Sequence, residues 1–334
     1  MKDTYYLFNP LELSRKDNTL CFQAVEEGQS EGKKKYLPVE GLHHLYVFGS
    51  LQANSAMYNF LGQRSISVHF FDYYEHYTGS FMPREYLLAG KMIVEQVRCY
   101  LETSRRLALA RLFLEGASAN ILRNLRYRQG RQSDVKAHID TIEGLTAQLP
   151  QAPGVPSLMG LEGNIRQVYY RAFNEIIRDF EMPGRSKQPP QNEINTLISF
   201  GNMLCYTLCL DQIYHTQLNP TVSFLHEPGT RRYSLALDLA EIFKPILVDR
   251  LIFTLLNRKQ IQARDFDTDL KGCRLKESGR KTFVQAWNEH ICTTIKHRSL
   301  NRSVSYKQLV RLECYKLAKH ILCIQEYQPF KAWW

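Results

Sequence analysis

The chain has 334 residues, 44% of them hydrophobic and 23% charged, with a formal net charge of +10. That length allows roughly two domains, and that composition builds a real core, which sets aside disordered and fibrous classes. No apolar run approaches the roughly 20 residues that span a bilayer, MKDTYYLFNP lacks the apolar stretch of a signal peptide, and the eight cysteines form no CxxC pair, so a cytoplasmic protein with buried free thiols and no membrane partner is expected.

Residues 1–85 read as β-rich. Short aromatic and β-branched runs at Thr4–Phe8 and Thr19–Phe22 flank the turn-prone SRKDN, and Lys35–Val39 opens another strand. LYVF, a helix over Gln52–Leu61 and the strand SISVHFFD then make a small βαβ unit, and YTGSFMPRE adds a turn and one more strand. From Glu85 the hydrophobic period changes from two to about 3.6. Leu88, Met92, Val97 and Leu101 start a single long helical run towards Leu125, followed by a helix at Val135–Leu149 and one that starts near Leu158–Glu162. EMPGRSKQPPQNE is a Pro-rich loop, INTLISFGNMLCYTLCLDQIY is a buried helix with Cys205 and Cys209 in the core, and the polar stretch after Arg258 reads as loops. Helices over Thr282–His297 and Tyr306–Ile324 close the chain. The expected fold is therefore α+β: a small β-rich domain, 1–85, then a larger all-α domain, 86–334.

The positive charge is concentrated. Arg98–Lys136 holds nine Lys/Arg against three Asp/Glu, and the segment from Lys271 onward holds thirteen against four. Two such blocks form a groove for an anionic polymer if they fold together, which favours nucleic acid as partner; solvated helix faces are the alternative. Phosphate loops rich in glycine are missing, which argues against an NTPase or a dinucleotide enzyme.

Candidate chemistry gathers in LNPTVSFLHEPGTRRYSLALDLAEIFKP, residues 218–245. An apolar run delivers His226 into a turn at Pro228–Gly229, Arg231 and Arg232 follow, and a helix then places Asp238 and Glu241 on one face. The other acid that stands out is Glu162. The stripe Ile165, Val168, Tyr169, Ala172, Phe173, extended back three residues, lands on it. Either this carboxylate is paired, protonated or metal-bound, or it is a first-turn glutamate favoured by the helix dipole. Two glutamates and one imidazole suit Mg2+ or Mn2+ better than structural zinc, and Arg231 and Arg232 stand where they can hold neighbouring phosphates.

The run NPTVSFLHEPGTRRYSLALDLAEIFKPILVDRLI resembles the signature of the CRISPR-associated adaptation integrases, through Pro220, Phe224, Leu225, His226, Ser234, Leu235, Asp238, Leu239, Glu241, Lys244 and Pro245. Glu162 and Gly163, with Tyr169 and Tyr170 downstream, resemble that family's first ligand segment, and SYKQLVRLECYKLAKHI with FKAWW is similar to its type I-B branch. The resemblance implies a divalent-metal DNA endonuclease and integrase that joins the 3′-hydroxyl ends of short foreign double-stranded DNA (the prespacer) to the leader–repeat junction of a CRISPR array. It implies Glu162, His226 and Glu241 as metal ligands, Asp238 as an accessory acid, and Arg166, Arg231, Arg232 and Lys244 as DNA contacts. It further implies a homodimer formed through the β-rich domain and a heterohexamer with a small ferredoxin-like CRISPR-associated partner. The rival readings are a DNA-binding scaffold without catalysis and a general repair nuclease.

Overall fold

The computed structural model describes residues 3–26, 29–72, 74–83, 89–131, 133–230, 233–269 and 272–334. The chain divides into two compact units, Met1–Tyr86 and Leu87–Trp334.

The elements of the first unit run β1 (Asp3–Leu7), β2 (Leu11–Lys16), β3 (Thr19–Glu26), β4 (Gln29–Pro38), β5 (Leu42–Val47), β6 (Leu51–Gln52), α1 (Ser55–Gln63), β7 (Ser67–Phe71) and β8 (Tyr77–Phe81). They make two four-stranded sheets, of order β1-β5-β7-β8 and β4-β3-β2-β6. In the first, β1, β5 and β7 are parallel and β8 antiparallel, so the expected βαβ unit is present, with α1 as its crossover. Leu13 and Leu20 of one sheet, Leu42, Leu45 and Val68 of the other, and Phe60 and Leu61 of α1 share one core. Two details differ from expectation. SRKDN is not all turn: β2 and β3 pair up to Lys16↔Thr19, and the reversal rests on Asp17 at φ 55°, a left-handed conformation that aspartate tolerates. Gln52 pairs with β2 instead of starting a helix; α1 begins later, where the Asn54 side chain accepts the Met57 N–H at 3.0 Å.

The second unit is mostly helical: α2 (Gly90–Leu101), α3 (Thr103–Gln129), α4 (Lys136–Thr146), α5 (Val155–Arg171), α6 (Phe173–Ile176), α7 (Glu193–Tyr214), α8 (Ser234–Lys244), α9 (Arg250–Asn257), α10 (Glu277–Cys292) and α11 (Tyr306–Ile321). It is not all-α. The stretch read as loops contains the antiparallel ladder β9 (Phe266–Asp269) with β10 (Gly272–Leu275), and β11 (Thr294–Lys296) pairs with β12 (Ser303–Ser305) where the helix to His297 was expected. Strands of three and four residues are too short to show a period. The expected single helix to Leu125 is broken at Glu102, whose ψ of 100° is extended, into α2 and α3. Thr103 and Ser104, poor interior residues, are the only local mark of that break.

Helix α7 is buried nearly all round, as an all-apolar helix must be, and Cys205 and Cys209 lie in the core. Gly201 is its contact point: a Cβ there would meet Val248 Cγ1 at 2.5 Å and Phe283 Cζ at 3.1 Å. Gly201→Ala is expected to destabilise the protein by about 1–3 kcal/mol through overpacking, read as a lower urea midpoint with an unchanged m-value.

Candidate metal centre

Helices α8 and α9 are joined by a π-helical turn, Pro245–Asp249. The cause is local: Pro245 has no N–H, so the Glu241 carbonyl four residues earlier cannot receive the usual helical hydrogen bond from it. Arg166 on α5 reaches across instead, donating from Nη2 to that carbonyl at 3.3 Å. The Pro245 carbonyl accepts from Asn124 Nδ2 of α3 at 2.6 Å.

Around this seam the structure brings Glu162 and Glu241 to one guanidinium. Arg166 Nε donates to Glu162 Oε1 at 3.3 Å, while Nη2 donates to Glu241 Oε2. Lys244, one turn after Glu241 on α8, donates to its other oxygen, Oε1. Burial alone pushes the Glu241 carboxyl up, but Lys244 and Arg166 outweigh it and hold the group well below the usual carboxylate range. Helix α5 starts at Val155, so Glu162 is mid-helix and the dipole explanation for it fails. It faces a buried cation, half-buried itself. Arg166 is 8% exposed and Lys244 is also tucked away against Glu241. Both were expected to touch DNA; here each is ion-paired with a buried acid, since a carboxylate in that position requires a counter-charge. Arg231 and Arg232 lie outside the described residues.

His226 is placed by an unusually complete set of contacts. The fully buried Asp238 carboxylate accepts the backbone N–H of Phe224 (2.7 Å) and Leu225 (3.0 Å) on Oδ2. Its Oδ1 accepts the N–H of His226 (2.9 Å) and the ring Nδ1–H (2.8 Å). Ser223 Oγ donates to the His226 carbonyl at 2.6 Å. Helices α2 and α3 fasten the same loop from outside. Gln96 Nε2 donates to the Asn219 and Val222 carbonyls, and Arg106 binds both the Phe224 carbonyl and Glu227. With Nδ1 engaged, the ring presents Nε2, the tautomer that a carboxylate–histidine–metal arrangement uses. His226 stands near enough to Glu241 to influence that carboxyl. All four of these Asp238 hydrogen bonds are directed at the loop and its imidazole.

Two carboxylates and one imidazole are a hard, mixed donor set, and this fits a divalent cation of the Mg2+ or Mn2+ kind. The ligand atoms of Glu162, His226 and Glu241 do not all lie within 4.8 Å of one another; Arg166 stands between the two glutamates. Sequence reading missed one group beneath them. Asp249, at the end of the π turn, is 1% exposed and is pushed up to about 7 by burial against the lowering pull of Arg166 and Tyr169. Its Oδ2 and Arg166 Nη1 are both buried without a hydrogen-bond partner among the described residues. Between the unfolded value near 3.9 and about 7 the folded state holds the extra proton, so stability falls as pH rises through that window. The slope is at most about 1.4 kcal/mol per pH unit. Asp249→Asn should therefore gain stability relative to wild type between pH 5 and 8, measured by urea titration at each pH.

The basic block at Arg98–Lys136 is less open than its charge implied. Arg98, Arg105, Arg106, Arg126 and Lys136 pair with acids, and Arg111 and Arg123 donate to main-chain carbonyls. Only Arg128 and Arg131 have neither kind of partner among the described residues.

A strand-rich unit is followed by a helical one that carries buried acids and a carboxylate-held imidazole at a helix seam, the donor types of a metal-dependent enzyme. The family model described as "CRISPR associated protein Cas1" matches residues 5–289. The "CRISPR-associated endonuclease Cas1" of Fusobacterium nucleatum is 48% identical over 335 residues, covering 100% of this chain and 98% of that protein. Among solved structures, a CAS1 protein from Thermotoga maritima superposes with a TM-score of 0.86 at 36% identity, covering 97% of this chain and 99% of the other. A casposase bound to integration product shares the fold, with a TM-score of 0.85 at 18% identity and coverage of 98% and 93%. The chain belongs to the Cas1 family.

Proposed function

We propose that this protein is a CRISPR adaptation integrase, an endonuclease and transesterase that joins the 3′-hydroxyl ends of short foreign DNA to the leader–repeat junction of the array. The observation that carries this reading, in a Cas1-family chain, is Asp238 gripping both the His226 loop and the His226 ring beside the Arg166-bridged Glu162 and Glu241.

In this reading Glu162, His226 and Glu241 would hold a Mg2+ or Mn2+ ion, which when bound would supply Lewis acidity toward a phosphodiester oxygen and an attacking hydroxyl. Asp238 fixes the imidazole tautomer. Arg166 and Lys244 keep Glu241 ionised inside a dry seam, so that no proton has to leave it before it can serve as a ligand. The incoming 3′-oxygen forms a new bond to phosphorus as the opposite P–O bond breaks. The departing strand end becomes a free 3′-hydroxyl, and the protein forms no covalent bond to DNA. Residues 1–85 would make the homodimer contact, and a small ferredoxin-like partner would complete a heterohexamer. The likeness of segments 305–321 and 330–334 to the type I-B branch supports membership of that branch.

A gel assay with a prespacer, a supercoiled plasmid bearing leader and repeat, and Mn2+ tests the reaction. Joined product that disappears with EDTA is expected. Nicking with no preference for the junction would move the reading to a repair nuclease, and DNA binding with no metal-dependent product would leave only a scaffold. Because phosphate contacts dominate such complexes, DNA affinity should fall by about 10³-fold or more between 50 and 200 mM salt.

A further inference from the structure

A cavity of about 470 Å³ opens beside the end of α3 and the length of α9, within the range of roughly 300–1,000 Å³ that small-molecule sites occupy. None of Glu162, His226 and Glu241 lines it, and no acidic residue does. Four arginines do: Arg128 and Arg131 from the end of α3, and Arg250 and Arg258 from the two ends of α9. Arg128, Arg131 and Arg258 have no carboxylate or hydrogen-bonded partner for their side chains among the described residues. Arg250 donates to the Asn124 amide oxygen at 2.6 Å and to the main-chain oxygen of Trp334 at 3.2 Å. Three of the four fixed positive charges therefore have no carboxylate beside them among the described residues.

The walls between the arginines are aromatic. Arg131 lies over the Tyr127 ring at 4.7 Å and Arg128 over Phe253 at 5.0 Å. Such stacking holds the guanidinium planes in place, but it supplies no counter-charge. Trp334 stacks on Tyr306 with ring centroids 5.5 Å apart. Its indole Nε1–H is buried with no acceptor among the described residues, an uncommon state for a buried donor. Burial also pushes Arg128 and Arg250 down from the usual guanidinium range, a shift that a bound anion would reverse. The ligand that satisfies all of this has strong negative charge, a planar aromatic part and a hydrogen-bond acceptor.

We propose that this arginine-rich, aromatic-walled cavity binds a single nucleotide unit, its phosphate against the arginines and its base against the aromatic wall. The cavity is too small for a duplex. The unit can come from a free nucleotide or from the unpaired end of a DNA strand, since both carry the same chemistry.

The test uses the full chain in EDTA, which keeps the metal centre out of the measurement. Tryptophan fluorescence and calorimetry are followed on titration with dAMP, 2′-deoxyadenosine, inorganic phosphate and a five-nucleotide single strand. Saturable quenching by dAMP or by the five-nucleotide strand is expected, at least tenfold tighter than with deoxyadenosine or phosphate. Arg128→Gln and the surface variant Arg131→Gln should each weaken it tenfold or more. Trp334→Phe should lose most of the quench. Glu162→Gln should bind as wild type, so failure of this site and failure of the integrase reading are separable. Saturation by dAMP identifies a free nucleotide as the source; saturation by the strand alone identifies a DNA end. No saturable binding of either probe, or affinity unchanged in both arginine variants, overturns the proposal.

Discussion

Alanine at His226 is expected to lower strand joining by about 10²–10³-fold, the scale on which a single preorganised electrostatic group acts in a dry site. The imidazole is held at Nδ1 by Asp238 and by the loop that Asp238 anchors, so removing it leaves Asp238 in place and the fold intact. Glu162→Ala and Glu241→Ala should reach a similar loss by a different route. Each also strips a counter-charge from Arg166, which is buried with one guanidinium nitrogen already unpartnered. Those two variants should therefore lose stability as well, whereas the histidine variant should keep its melting temperature. Joining measured by gel beside calorimetric melting separates the effects. Full product from all three variants would sink the metal-centre assignment.

The largest expected stability change is at Asp238. Alanine there leaves the N–H groups of Phe224, Leu225 and His226 without their acceptor in a buried setting. At about 1–3 kcal/mol for each stranded donor, and with partial relaxation, the loss should be about 4 kcal/mol. For a unit of this size that is a fall of about 10 °C in melting temperature. Joining should drop less than in the ligand variants, because the imidazole remains but is no longer held in one tautomer. Partial rescue by higher Mn2+ would mark a positioning role; wild-type joining with a normal melting point would show that the carboxylate organises nothing.

The legibility of this chain depends on range. Period-two and period-3.6 patterns are local, so the β-strands, the βαβ crossover and the buried α7 could be read directly, while the three- and four-residue strands of the second unit could not. The stripe on α5 pointed Glu162 inward, and the structure has it facing buried Arg166. What faces a residue across the fold carries no periodic signal. The pairing of Arg166 and Lys244 with Glu241 was not legible because nothing within one turn says that Glu241 is buried. The spacing of Asp238 and Glu241 correctly puts both on α8. It is silent on the loop of residues 224–226 folding back over one of them. Arginine blocks mislead in the same way: a count of charges cannot tell those that hold carbonyls from Arg128 and Arg131, which hold none.

The proline at the α8 seam ties two distant sites in the sequence together. Pro245 withholds a donor from the Glu241 carbonyl, and Arg166 uses that oxygen along with the carboxylate of the same residue. A lysine at 166 offers one compact head where the fork spans two acceptors, and an ordinary residue at 245 would bring an amide that competes for the carbonyl. Positions 166 and 245 are therefore expected to change together or not at all, although some eighty residues separate them.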